Sequence, residues 1–360
     1  MRRHSVIKSL KKGSIFIIIF LSLNGMSQVG GTKTFRFLDI PMTARAAANG
    51  GSSMSIWGDD INLIHSNPAL LNPDMLKQAA FNYCNYVGNI NYYSLAYAHS
   101  LKHYGTAAIT MQAFNYGKFY GYDELGSKTR DFYANDYSIN LHYAKPLADS
   151  MFTVGVALKT IISQYDSYKS FGNALDFGVT YHSKKDFTAS LLARNVGYMW
   201  KNYSNITNEK ESLPSTVQLG LSKKLAKAPF RVFVVYDQLL KWNLRYISPI
   251  DTAGKNSSFS NTPTADSTSW QKFTVKAGHT ADNFMRHVVL GTEILITKNF
   301  SLRVAYNYRR QVEMTLPERR GANAFSFGIG FKVKRFAFAC TYTKMAFPGN
   351  SLMMGLTFVW

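Results

Sequence analysis

Phe300-Ser301-Leu302-Arg303-Val304-Ala305-Tyr306-Asn307-Tyr308-Arg309 is the stretch that decides the fold. Every second residue is large and apolar, and the residues between are small, polar or cationic. Successive side chains of a strand point to opposite faces, so this period of two builds a sheet with one greasy face and one polar face. The same code runs through Tyr137, Ile139, Leu141, Tyr143 and through Leu175, Phe177, Val179, Tyr181. It returns in Phe325, Phe327, Ile329, Phe331, Val333, where the interleaved set is Ser326, Gly328, Gly330, Lys332 and Lys334. A half-buried soluble sheet alternates too. Here each segment is about ten residues long and carries aromatics on the apolar face, which is the length and pattern of a strand crossing an outer membrane.

Composition narrows the alternatives. Hydrophobic residues make up 46% of the 360-residue chain and charged residues 17%, too much apolar surface for disorder. Mean hydropathy is −0.14, too polar for a helical bundle in lipid. Aromatics reach 14%, in keeping with a β-rich chain, and the net charge is +20. The alternation predicts strands at roughly 78–88, 90–101, 104–115, 133–145, 151–163, 172–183 and 186–195. A second set falls at 215–225, 229–240, 287–297, 299–310, 323–334, 335–346 and 351–360. That makes an all-β, 14-stranded antiparallel transmembrane barrel over 78–360.

The gaps sort by length. Short ones at 102, 146–150, 184, 226, 298 and 334 alternate with longer ones at 116–132, 164–171, 196–214, 241–286, 311–322 and 347–350. Bacterial barrels have short periplasmic turns and longer external loops, so the sorting favours a barrel over a sandwich. The gap at Gly88-Asn89 breaks the rule by being short. The last strand ends on Phe358 and Trp360, an aromatic terminus that resembles the signal read by outer-membrane insertion machinery and also suits the interface girdle.

The chain opens with a secretory signature at 1–27. Arg2, Arg3, Lys8, Lys11 and Lys12 precede the apolar run 15–21, and Gly25-Met26-Ser27 offers small residues for cleavage. Residues 28–77 are too polar to span lipid and too broken for a long helix, and are expected to plug the barrel interior. Cys84 and Cys340 fall on strands separated by one other strand, about 10 Å apart, beyond the reach of a disulfide.

Chemistry-bearing motifs are scarce. The sequence holds no Gly-rich phosphate loop with Lys, no His-Glu-x-x-His and no nucleophile elbow, so no catalytic, cofactor or metal site is expected. His142 and His182 point to the expected lumen, and His103 falls in a turn. Asp59-Asp60 reads as a solvated turn or helix cap ahead of a metal site. Much of the positive charge lies in short turns with no stacking platform beside it, which argues against nucleic acid. Glu293 and Arg303 are expected to face the lumen on adjacent strands, with Glu293 beside Arg303 or Ala305. In the longest loop, 241–286, Trp242, Arg245, Tyr246, Phe259 and Trp270 sit among polar residues, the composition of a contact surface. Arg309-Arg310 and Arg319-Arg320 bracket the next external loop. Cations there suit lipopolysaccharide phosphates or an acidic partner, with plain solvation as the other reading.

The order Ala44-Arg45-Ala46, Gly50-Gly51, Asp59-Asp60, Asn67-Pro68-Ala69 resembles the N-terminal hatch of the FadL-like barrels, a group that includes PorV. A further resemblance, to the PorQ family of the type IX secretion system, covers essentially the whole mature chain. It rests on Gly30-Gly31-Thr32 and 35–41, then Asn82-Tyr83-Cys84-Asn85-Tyr86 and Ile90-Asn91-Tyr92. Arg286-His287, Gly291-Thr292-Glu293 and Tyr306-Asn307-Tyr308-Arg309-Arg310 extend it to the late strands. The resemblance implies a non-enzymatic barrel of the outer membrane. Its partners would be a PorZ-like surface protein and the PorU/PorV attachment complex, which joins cargo to anionic lipopolysaccharide. The FadL-like alternative is a transporter of hydrophobic molecules, with Met42, Met54, Ile56 and Trp57 as candidate pocket residues.

Overall fold

The computed structural model describes residues 33–101, 104–147, 151–203, 211–245, 269–314, 322–346 and 349–360. The signal segment, His103, Tyr246, Phe259, Arg319 and Arg320 lie outside these residues.

Fourteen antiparallel strands close into a barrel in which each pairs with its neighbours in sequence. They are β1 (Gln78–Asn85), β2 (Asn91–Ser100), β3 (Thr106–Tyr122), β4 (Lys128–Pro146), β5 (Phe152–Tyr165), β6 (Tyr168–His182) and β7 (Phe187–Lys201). The ring continues with β8 (Thr216–Lys224), β9 (Phe230–Tyr236), β10 (Val288–Ile294), β11 (Phe300–Asn307), β12 (Phe325–Val333), β13 (Phe336–Thr343) and β14 (Ser351–Val359). Closure is made by β1, which pairs with both β14 and β2, so no sheet edge is left to face lipid. No described helix is long and apolar enough to cross a membrane.

Alternation appears directly in burial. On β5, Val154, Val156, Leu158 and Ile162 face outward while Thr153, Gly155, Ala157, Lys159, Ile161 and Ser163 are buried inside. Near the short turns the outer face carries a chain of rings: Phe331–Phe338 at 4.9 Å, Phe336–Phe358 at 5.2 Å, Phe358–Trp360 at 5.7 Å and Trp360–Tyr97 at 5.7 Å. Girdles of aromatics on the outer face are a feature of membrane-spanning barrels, and this band has that composition.

Residues 34–76 run inside the ring. They contain a short helix α1 (Ala44–Ala48) and four 3-10 turns. Two apolar clusters fill the interior, one around Met54, Ile56, Leu63, Ile64, Leu70 and Leu71, the other around Phe37, Leu38, Met42, Tyr92, Phe114 and Met353.

Several expected boundaries are corrected. The loop expected at 116–132 is largely strand, because β3 and β4 continue as a two-stranded ribbon and leave only 123–127 as a turn. Asp123 closes that turn by accepting from the Leu125 and Ser127 amides. The loop at 164–171 shrinks to Asp166-Ser167, with Asp166 at φ 56°, the left-handed geometry that suits tight hairpins. The expected loop 196–214 begins only after Lys201, where β7 ends. Strand 229–240 stops at Tyr236, and the loop 241–286 contains helix α2 (Ser269–Arg286). Strand 299–310 stops at Asn307, whose side chain accepts from the Arg310 amide and starts helix α3 (Tyr308–Glu313). Tyr308 and Arg309 therefore leave the alternation that opens the segment. Cys84 and Cys340 sit on β1 and β13, with β14 between them, and both are free.

Candidate functional site

The interior is organised around one carboxylate. Glu293 on β10 stands opposite Arg303 on β11 and Arg231 on β9 in the strand registers. Its side chain is fully enclosed, at 0% exposure, so every oxygen lone pair must find a donor inside the protein. Arg303 Nε donates to Oε1 at 3.1 Å, and Arg231 Nη1 donates to Oε2 at 2.7 Å. Arg45, from α1, adds a two-pronged contact, Nε to Oε1 and Nη2 to Oε2, both at 2.9 Å. Asn49 Nδ2 reaches Oε1 at 3.4 Å. Three guanidinium groups therefore share one buried carboxylate.

Arg45 also spends its third nitrogen, Nη1, on Asp60 Oδ2 at 3.2 Å. Burial works against a charge on Arg45, but the Glu293 and Asp60 carboxylates outweigh it and hold the guanidinium more firmly protonated than an ordinary arginine. The helix presenting Arg45 is built from small residues because it lies against the wall. Ala44, Ala46, Ala47 and Ala48 are all at 2% exposure or less. The Thr43 side chain caps it by accepting from the Ala46 amide, and Thr341 on β13 donates to the Ala44 carbonyl at 2.6 Å.

The Asn67-Pro68-Ala69 turn is held by the same logic. Asn67 Oδ1 accepts from the Ala69 amide at 2.9 Å, and its Nδ2 donates to the Met54 carbonyl and to Thr180 Oγ1. Pro68 starts the turn, where its missing amide costs nothing. The turn presses on β5 and β6 at Gly155 and Gly178, where an added Cβ would collide with Pro68, Ala69 and Asn67. Gly50 and Gly51 follow α1 at φ 75° and 120°, the left-handed backbone that lets the chain reverse there. Asp60 is both a cap, accepting from the Asn62 amide, and the second anion for Arg45. The segment's carbonyls are satisfied by wall side chains: Tyr92 donates to Pro41, Ser94 to Met42, Ser222 to Ser55 and Arg194 to Leu38.

The transporter reading named Met42, Met54, Ile56 and Trp57. The first three are packed, at 2%, 0% and 0% exposure, and Trp57 stacks on His182 at 4.8 Å. His142 is buried and hydrogen-bonded to Thr110 at 2.9 Å. His65, inside the segment, is pushed down to about 3 by burial and then by His142, Lys159 and Arg194, so it is held neutral.

The long-loop rim gathers a second group. Trp242 stays 54% exposed while its carbonyl accepts from His287 Nε2 at 2.9 Å. Arg245 reaches Asp282 at 3.6 Å, and the same carboxylate takes Arg286 at 2.9 Å and Tyr308 at 2.7 Å. The Trp270 side chain lies outside the described set. Arg309 and Arg310 bond to the protein itself: Arg309 pairs with Asp237 at 3.3 Å, and Arg310 donates to Ser326 and Thr343. Their side chains are bound to the protein's own acceptors, which corrects the solvated-cation reading of that pair.

Sequence reasoning passed over Arg231, Lys159–Asp176 and the β3–β4 ribbon. The ribbon matters at the rim. β3 and β4 are 17 and 19 residues long, where about ten suffice to cross a membrane. Its tip shows Tyr120 at 55% and Tyr122 at 63% exposure, with the Lys128 ammonium 4.5 Å from the Tyr120 ring. The pairing of Phe119 with Phe132 could have revealed it, but Gly117 and Gly121 read as loop residues.

No protein-family model matches the sequence. No curated protein sequence matches it either. Among solved structures, the toluene transporter TbuX of Ralstonia pickettii is similar at a TM-score of 0.50 and 10% identity, over 90% of this chain and 99% of the other. The toluene transporter TodX of P. putida is similar at 0.50 and 12%, over 90% and 99%. A Pseudomonas aeruginosa FadL homologue gives 0.41 and 10%, over 88% and 96%. At such identities the likeness is one of fold: the chain is a closed barrel of fourteen antiparallel strands, similar in fold to TbuX and TodX.

Proposed function

We propose that this chain is an outer-membrane barrel that works at its long-loop rim by holding a surface partner, and that residues 28–77 act as a plug rather than as a gate for cargo. The observation that supports this reading is the burial of the segment's apolar side chains. Met54, Ile56, Ile61, Leu63, Ile64, Leu70, Leu71 and Met75 are all at 1% exposure or less. Side chains buried to that degree oppose the passage of a solute past them. With the lumen occupied, what remains available is the rim: exposed Trp242, Arg245 and the ribbon carrying Tyr120 and Tyr122. Aromatic and Arg anchors of this kind suit protein contacts.

The resemblance to the PorQ family gives the partner: a PorZ-like surface protein, within the PorU/PorV attachment complex that joins cargo to anionic lipopolysaccharide. The chain would serve there as an anchor without catalysis or cofactor, in contact with outer-membrane lipid. Affinity purification of the tagged barrel from membranes tests this. A stoichiometric surface protein is expected, and its loss on trimming residues 251–268 should leave the barrel folded, since loop tips tolerate such changes.

A second reading, transport of small apolar molecules, is favoured by the likeness in fold to TbuX and TodX, both described as toluene transporters. It requires Met42, Met54, Ile56 and Trp57 to part from the wall. Uptake of toluene by liposomes carrying the purified barrel, with no partner recovered from membranes, would replace the docking reading with this one.

A further inference from the structure

We propose that the short-turn mouth of the barrel is a binding site for a phosphate-type anion, seated on Arg231 and Arg303 behind a rim of lysines.

A cavity of about 490 Å3 opens there, between the short turns and the Glu293 cluster. Six cations line it: Arg45, Lys224, Arg231, Lys298, Arg303 and Lys332. Only two carboxylates, Asp59 and Asp60, share its walls. Glu293 beneath adds a single negative charge, so three carboxylates face these six cations. The mouth therefore keeps an excess of positive charge in a concave, partly dehydrated space, the condition that concentrates anions.

The donors are also unfinished. Among the described residues Arg45 uses all three of its nitrogens, whereas Arg231 engages only Nη1 and Arg303 only Nε. Arg303 is 9% exposed, and its Nη1 is buried with no hydrogen-bond partner. A buried cationic donor left open is costly, and native structures rarely leave one without a reason. Space for that guanidinium is kept by Gly330 on β12, where an added Cβ would lie 2.7 Å from Nη1 and 2.9 Å from Nη2.

Ligand chemistry follows from this arrangement. A carboxylate is planar and meets a guanidinium fork in one plane, as Glu293 meets that of Arg45. Two guanidinium groups arriving from different strands, with ammonium groups above them, suit a tetrahedral phosphate-type anion that accepts from several directions. Entry is not blocked by the rim. Lys332 is held by Asp59 at 3.4 Å, but both are well exposed, at 42% and 64%, so the pair exchanges readily for a stronger anion.

The probe is inorganic pyrophosphate, titrated calorimetrically into the purified full-length barrel in an uncharged detergent at constant ionic strength. Saturable binding is expected, weakened about tenfold in Arg231→Gln and again in Lys332→Gln. Gly330→Ala should weaken it similarly by displacing the Arg303 guanidinium. Heat-modifiable migration on gels checks that each variant is folded. If Arg231→Gln does not fold, the rim triple Lys224→Gln/Lys298→Gln/Lys332→Gln decides instead. Nanodiscs separate the sources of the anion: if phosphatidylglycerol competes with pyrophosphate and phosphatidylcholine does not, the ligand is a lipid headgroup, and if neither competes it is a soluble phosphate. Either outcome supports the site. Absence of saturable heat, an affinity unchanged by every substitution, or binding of poly-aspartate with no response to pyrophosphate would overturn it.

Discussion

Two buried ionic sites occupy different parts of the wall and are wired differently. Lys159 on β5 and Asp176 on β6 form a one-to-one pair at 2.7 Å, with side-chain exposures of 3% and 4%. Asn195 completes it: its backbone amide donates to Asp176, and its side-chain oxygen accepts from Lys159. The register of β6 with β7 slips at this point, between Leu175 and Phe177, so Asp176 has a register partner on β5 but none on β7, and Asn195 of β7 bonds to it there. Glu293 instead gathers three arginines, one of them from the N-terminal segment. The first site is balanced and joins wall to wall. The second is cation-rich and joins the internal segment to the wall. Both satisfy the same rule that a buried charge must be paired, but only the second leaves donors over.

The comparison is broken hardest by Glu293→Ala. Removing the shared anion strands three arginines in the interior, and losing one member of a buried ion pair typically costs about 3–5 kcal/mol. The urea midpoint of the barrel in detergent should fall accordingly, and protease should cut within residues 34–76, because Arg45 no longer fastens them. A Glu293→Ala barrel as stable as the parent would remove the carboxylate from its organising role.

Lys159→Met should cost a similar or slightly smaller amount, roughly 3 kcal/mol, since one carboxylate rather than three cations is orphaned. The double change Lys159→Met/Asp176→Leu sharpens the contrast. A balanced pair replaced by apolar residues of like volume is often neutral, so the double variant should recover most of the loss. The same treatment cannot rescue Glu293, whose three partners lie on α1, β9 and β11. Recovery in a Glu293→Leu/Arg303→Leu double variant, measured by the same midpoint, would erase the distinction.

His65 supplies a pH test. Its proton affinity inside the protein lies near 3 against an ordinary 6.5, so the unfolded chain binds a proton that the folded chain refuses. Its contribution to stability is complete above 6.5 and is lost as the pH falls toward 3, at about 1.4 kcal/mol per unit. His65→Gln should flatten the urea midpoint between pH 6 and 4 relative to the parent. An equal slope in both proteins would mean that other groups carry the acid sensitivity. The facing groups include His142, Lys159, Arg194 and Asp60.

Much of the wall could be read from period-two alternation, because a membrane enforces it residue by residue. That is why Glu293 could be placed beside Arg303 or Ala305 from hairpin parity, and the register selects Arg303. The alternation ends at Asn115 on β3, and the code ends with it. The β3–β4 ribbon beyond Asn115 meets no lipid rule, and its glycines read as loop. Long-range partners were hidden for a different reason. Arg45 stands out within a motif, but its anion lies 248 positions away, and nothing local connects them. Arg231, within Phe230-Arg231-Val232-Phe233, is an ordinary cation until β9 is set beside β10. Asp60 was readable as a cap, since an acid before an apolar run is a start signal. Its second bond, to Arg45, was not.

That double duty gives the smallest expected effect and the finest test of the comparison. Asp60 Oδ1 caps the 3-10 turn Ile61–His65, and Oδ2 pairs with Arg45 at 3.2 Å, with 23% of the side chain exposed. Asp60→Asn keeps an oxygen for the cap and removes the charge. Because Arg45 retains both contacts to Glu293, and water reaches the pair, the cost should be only about 0.5–1 kcal/mol. Asp60→Ala loses the cap as well, and a lost cap adds about 1 kcal/mol. The ordering Asn milder than Ala is therefore expected in the urea midpoint, with salt reducing the effect of Asn but not the extra loss in Ala, since screening acts on charges and not on the cap. If Asp60→Asn instead costs as much as Glu293→Ala, then Asp60 shares in balancing the cluster. The excess of positive charge on which the anion site depends would then be smaller than the geometry implies.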